Sequence, residues 1–122
     1  MIKIPQIKMP PPKTLSGFGK ILRKAKENQG ITSQELADRI KVDKSYISKV
    51  EKGERQLNKI QVIQLAELLQ QNEHDWLTIW YAEKILNTLR NEDVKASYRG
   101  LKRALIVYYN ENRNEIRTGY AY

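Results

Sequence analysis

A chain of 122 residues, 40% hydrophobic and 30% charged, suits one or two small packed units and excludes a large cavity-bearing enzyme. Its 22 basic and 14 acidic side chains leave a formal charge of +8 and a pI near 9.7, which points to an anionic partner, nucleic acid before an anionic membrane. It has no cysteine, which removes disulfides, thiolate chemistry and sulfur-ligated zinc and fits a reducing cytoplasm.

The opening MIKIPQIKMPPPK does not read as a signal peptide, because prolines interrupt the apolar segment such a leader needs. Residues 1–14 are expected to form a proline-rich flexible arm. No run of about 18 apolar residues offers a membrane span, so a soluble cytoplasmic protein is expected.

A helical pattern starts at Ser16, an available N-cap, with Phe18, Ile21, Leu22 and Ala25 at spacings of three and four and Gly30 as a stop. In ITSQELADRIKVD, Thr32 followed by Glu35 is a capping-box arrangement for a helix of about eight residues carrying Leu36, Ala37 and Ile40 on one face. A third helix, KSYISKVEKG, starts at a cap from Asp43 or Ser45 and stops at Gly53. A fourth follows Asn58, with Ile60, Ile63, Leu65, Ala66 and Leu69 as its apolar side. The fifth, about Asp75 to Leu89, holds Trp76, Leu77, Ile79, Trp80, Ala82, Ile85, Leu86 and Leu89, broad enough to pack on two sides. The sixth begins near Asp93 and repeats Val94, Tyr98, Leu101, Leu105, Tyr108 and Asn112 at steps of four and three, the seam spacing of paired helices. The closing RTGYAY carries no clear structural signal and is expected to fray. No period-2 pattern competes, so the fold class is all-α.

Charge is segregated along these pieces. Residues 13–60 are net about +6, residues 61–93 about −4 and residues 94–122 about +4. The first four helices and the tail therefore carry the cationic field, and the fourth and fifth helices suit a side turned away from a polyanion.

Within DKSYISKVEKGER, Ser45, Ser48, Lys49 and Lys52 share one side of the helix while Ile47 and Val50 take the other, and Lys44 stands at the exposed N-terminal end. A short helix of this kind, preceded by another across a tight turn, is a helix-turn-helix, whose later helix lies in the major groove and reads base edges with its first turns. Serine accepts several partners there, and lysine donates to guanine O6 and N7.

The segment from about Phe18 to Leu69 resembles the phage-repressor and Cro-like (XRE-type) helix-turn-helix family. The resemblance rests on ITSQELADRIKVDKSYISKVEKGERQLNKIQVIQLAELL, which follows T-x-x-E-L-A, a short turn, S-Y-I-S-x-V-E-x-G and a closing L-A-x-x-L helix. DKSYISKVEKGER is also similar to controller proteins of restriction–modification systems. The resemblance implies a five-helix lambda-repressor-like domain with a C-terminal helical extension. It implies base contacts from Lys44, Ser45, Tyr46, Ser48 and Lys49, and DNA contacts from Arg55 and Gln56 just past the helix. Many members place Gln at the second position of helix two as a brace for the first reading residue; this chain departs from that with Ser33, followed by Gln34. Lys20, Arg23, Lys24, Ser33, Gln34, Lys52, Arg55 and Gln56 form the expected phosphate-contacting set, for which Lys49 is also suited. Glu51, acidic within this basic surface, reads as a structural carboxylate.

His74 lacks the convergent groups that a metal site or acid–base pair needs, and Gly17 and Gly19 lack the strand and third glycine of a phosphate loop. Glu92 and Asp93 read as helix-start charges. Neither a metal, a cofactor nor an enzymatic activity is indicated. The expected organisation is an arm (1–14), a DNA-binding domain (15–72), a helical extension for dimerisation or partner docking (73–116) and a tail (117–122). Trp76, Trp80, Tyr98, Leu101, Leu105 and Tyr108 are its candidate interface residues. The expected function is a transcriptional regulator, a repressor or autoregulator of a restriction–modification system or mobile element. It would bind double-stranded operator DNA as a homodimer and use no membrane. The alternative is an antitoxin or interaction scaffold that keeps the fold and acts through a protein partner of its C-terminal helices.

Overall fold

The computed structural model describes residues 17–118. They form seven helices, α1 (Phe18–Gln29), α2 (Ser33–Ile40), α3 (Lys44–Glu51), α4 (Lys59–Leu68), α5 (Glu73–Leu89), α6 (Val94–Glu111) and α7 (Arg113–Thr118). No strand occurs among the described residues, and none of their helices is long and apolar enough to cross a membrane. The arm expected at 1–14, the Ser16 cap and residues 119–122 lie outside the described residues; of the tail expected to fray, Arg117 and Thr118 belong to α7.

Local chemistry sets most helix boundaries. The Thr32 hydroxyl accepts from the Glu35 N–H at 3.1 Å, the Asp43 carboxylate accepts from the Tyr46 N–H at 2.9 Å, and Asp93 caps α6 through the Ala96 N–H. Asn58 and Gln61 form a full capping box on α4. Gly30 and Gly53 end α1 and α3 in left-handed conformations, at φ 66° and 79°. Helix α1 has no side-chain cap of its own. Its first N–H, at Phe18, instead donates to the Glu83 carboxylate of α5 at 2.6 Å, 65 positions along the chain. Glu83→Ala is accordingly expected to lower unfolding free energy by about 1 kcal/mol, the usual effect of losing a cap. Urea titration checks it, and an unchanged midpoint would refute the capping role.

The described residues divide into two compact units, the larger spanning 17–88 and the other 89–118. The core of the larger unit joins Phe18 and Leu22 of α1, Leu36 and Ile40 of α2, Ile47 and Val50 of α3, and Val62, Leu65 and Leu69 of the α4 region to Trp76 and Trp80. Helix α5, beyond the boundary expected after residue 72, closes this core through Trp76 and Trp80. Trp76 meets Phe18 edge-on at 5.2 Å between ring centres, and Trp80 donates its indole N–H to the Leu57 carbonyl at 2.7 Å. Ile60, expected on the apolar side of α4, is 67% exposed, whereas Val62 is fully buried; the two stand about 200° apart around the helix, so only one of them can face inward. Only one side of α5 is covered, since Tyr81, Ile85 and Leu86 remain exposed.

In the second unit α6 and α7 follow one another, with Asn112 closing α6 and its side chain donating to the Tyr108 carbonyl at 2.9 Å. Tyr109 is buried.

Candidate nucleic-acid interface

Helix α3 is seated by its inward residues and presents the rest. Ile47 is fully buried and Val50 nearly so, while Lys44, Ser45, Ser48, Lys49 and Lys52 are all exposed. At 100° per residue, these five span an arc of about 140° centred opposite the buried pair. The outward arc therefore carries three ammonium groups and two hydroxyls with no apolar side chain among them.

The N-terminus of α3 is set by Asp43. A hydrogen bond from the Ser45 hydroxyl, followed by that from the Tyr46 N–H, holds its carboxyl below the usual carboxylate range. Ser45 thus donates its hydroxyl proton to Asp43, and its oxygen keeps acceptor capacity.

The far end of α3 rests on an ion pair. The Lys26 ammonium of α1 lies 2.7 and 3.2 Å from the two Glu51 carboxylate oxygens and donates to the Ser33 hydroxyl at 2.8 Å. The Lys26 and Glu51 side chains are 14% and 7% exposed. One cation therefore joins α1, the start of α2 and the end of α3. Gly19 makes that junction possible: a Cβ there would stand 2.3 Å from the Val50 carbonyl oxygen and 2.5 Å from that of Glu51.

Past α3, the Arg55 guanidinium lies over the Tyr46 ring at 4.6 Å from its centre, and Gln56 is exposed. On the other elements Lys20, Arg23 and Lys24 are exposed on α1, and Gln34 is exposed on α2 with its amide donating to Asp38 at 2.9 Å.

Residues 22–77 match the family model described as helix-turn-helix. The match spans a little under half of the chain and makes this segment similar to that family. Among solved structures, the restriction-modification controller protein C.AhdI from Aeromonas hydrophila is 29% identical, with a TM-score of 0.46 over 51% of this chain and 94% of that one. The clp gene regulator ClgR from Corynebacterium glutamicum, in two structures, is 24% and 23% identical with TM-scores of 0.49 and 0.47. These cover 77% and 60% of this chain and 94% and 95% of theirs. No curated protein is significantly similar to the chain.

The helix-turn-helix domain brings Lys44, Ser45, Ser48, Lys49 and Lys52 onto one surface and gives other expected contact residues more constrained places. Tyr46 is half-buried, its hydroxyl donating to the Gln61 side chain at 3.4 Å. Ser33 is half-buried beneath the Lys26 ammonium. Trp76 and Trp80, expected at an interface, are 3% and 6% exposed and lie in the core of their own chain. Tyr98, Leu101, Leu105 and Tyr108 are exposed on α6 at the seam spacing. Lys26, Gly19 and Gln61 were not anticipated as positioning residues. For Lys26 a signal existed, since it follows Phe18 and Leu22 at steps of four and so continues the buried stripe of α1.

Proposed function

We propose that the protein is a sequence-specific, operator-binding transcriptional regulator that inserts α3 into the major groove. The observation carrying this reading is the outward arc of α3, purely polar and cationic above a buried Ile47 and Val50. Lys44, Ser45, Ser48 and Lys49 supply base discrimination. Lys20, Arg23, Lys24, Ser33, Gln34, Lys52, Arg55 and Gln56 supply phosphate contacts, so affinity falls steeply with salt. Acting in the cytoplasm, it represses or autoregulates by occupying a promoter, and the similarity of DKSYISKVEKGER to controller proteins favours a restriction–modification or mobile-element setting.

The test is fluorescence anisotropy of the full chain on its own upstream DNA and on a shuffled duplex of equal length, across a salt series. The upstream duplex is expected to bind at least about a hundredfold more tightly at physiological salt, with Lys44→Ala and Ser45→Ala together eroding that ratio. Equal binding of both duplexes, vanishing as salt rises, would reduce the interaction to net charge.

The regulator works as a homodimer, because one reading helix discriminates only a few base pairs whereas two address half-sites about 34 Å apart. The exposed Tyr98, Leu101, Leu105 and Tyr108 of α6 support its second unit as the pairing surface. Leu101→Asp with Leu105→Asp is expected to convert a dimer into a monomer by sedimentation equilibrium and to weaken operator binding by at least about tenfold. A double variant that still sediments as a dimer would move the pairing surface off α6.

A further inference from the structure

Tyr46 sits in the first turn of α3, where a side chain reaching a base edge would be expected, yet both ends of its ring system are engaged within the protein. Its face carries the Arg55 guanidinium at 4.6 Å, and its hydroxyl donates to Gln61 Oε1 at 3.4 Å. That same oxygen accepts from the Asn58 N–H at 3.0 Å, and the Gln61 N–H donates to Asn58 Oδ1 at 2.8 Å. The tyrosine is therefore hooked to the capping box that starts α4. Arg55 stands in the loop after the left-handed Gly53, and no carboxylate among the described residues pairs with it. Held over the ring and without a hydrogen-bond or ion-pair partner among the described residues, the guanidinium has N–H donors available to fork onto a phosphate.

We propose that Tyr46 is a positioning residue, whose ring holds Arg55 as a pre-aimed phosphate clamp at the exit of α3 and whose hydroxyl fixes that platform to α4. The role rests on α3 entering DNA, as proposed above. A long arginine on a loop would otherwise lose its rotamer freedom on binding; the ring and the capping box impose that order beforehand. Tyr46 thereby contributes to affinity and salt dependence and leaves base discrimination to its neighbours.

The experiment measures the slope of log affinity against log salt for the full chain on a mixed-sequence duplex, and the motif each variant selects from random duplexes. Tyr46→Phe is expected to keep both the slope and the motif. Tyr46→Leu and Arg55→Ala are each expected to reduce the slope by about 1, one phosphate contact, with the double variant no lower than Arg55→Ala alone. In the unsubstituted protein, stacking also requires Arg55 side-chain protons displaced upfield by the ring, a readout independent of how any variant folds. Three results would each overturn the proposal. One is a motif altered at a base position by Tyr46→Phe, one is a slope unmoved by Tyr46→Leu while Arg55→Ala lowers it, and one is undisplaced Arg55 resonances. Failure of the operator reading is distinct, because it appears as no motif selected by the unsubstituted protein while the slope comparison stands.

Discussion

Glu51→Ala is expected to lower the unfolding free energy by about 3 kcal/mol, because it strands a partly buried cation. The Lys26 ammonium keeps only the Ser33 hydroxyl once the carboxylate at 2.7 and 3.2 Å is gone, and at 14% exposure water reaches little of it. For a unit of this size the loss corresponds to a melting point lower by roughly 15 °C. The paired change Lys26→Met with Glu51→Leu is expected to recover most of it, since the net worth of a buried ion pair against well-packed apolar groups is small. Thermal and urea unfolding of the three proteins check this. If the double variant were as unstable as Glu51→Ala, the loss would come from shape and not from the uncompensated charge.

Gly19→Ala acts on the same junction by contact. The added methyl would stand 2.3 Å from the Val50 carbonyl oxygen and 2.5 Å from that of Glu51, backbone atoms that move only if the last turn of α3 moves. Overpacking of this kind is expected to remove about 3 kcal/mol of stability. Unlike a core cavity, it also displaces the outward arc of α3 and so weakens DNA binding in the molecules that remain folded. Amide chemical shifts across Lys44–Lys52, measured beside urea unfolding, separate the two effects. Gly100→Ala is the contrast: nothing lies within 4 Å of its added methyl, and mid-helix it is expected to gain up to about 1 kcal/mol. A Gly19→Ala protein as stable as the parent would mean that α1 and α3 are not packed this closely.

The positions of α2, α3 and α6 were legible because their signals are local. A cap and its receiving N–H are three residues apart, as in Thr32 with Glu35, Asp43 with Tyr46 and Asp93 with Ala96, and such pairs need no tertiary context. The candidate reading surface was legible for a related reason: once Ile47 and Val50 must face inward, a 3.6-residue period leaves Lys44, Ser45, Ser48, Lys49 and Lys52 outside. Periodicity was weaker where apolar residues are adjacent. In KIQVIQLAEL, Ile60, Val62 and Ile63 compete for the inward position, and packing rather than pattern chose Val62 over Ile60.

By itself, then, the sequence determined the all-α class, the helix-turn-helix, its caps and the polar arc of α3, all of which follow from interactions spanning a single helical turn. The tertiary structure decided which distant groups meet. It placed Glu83 on the N-terminus of α1, Trp80 on the Leu57 carbonyl, Lys26 against Glu51 and Ser33, and Arg55 on Tyr46. It also took α5 into the larger unit through two tryptophans whose apolar pattern suits a core and an interface equally. The physical reason is that burial and charge pairing depend on the separation of groups in space, while spacing along a chain constrains only neighbours within about a turn of helix.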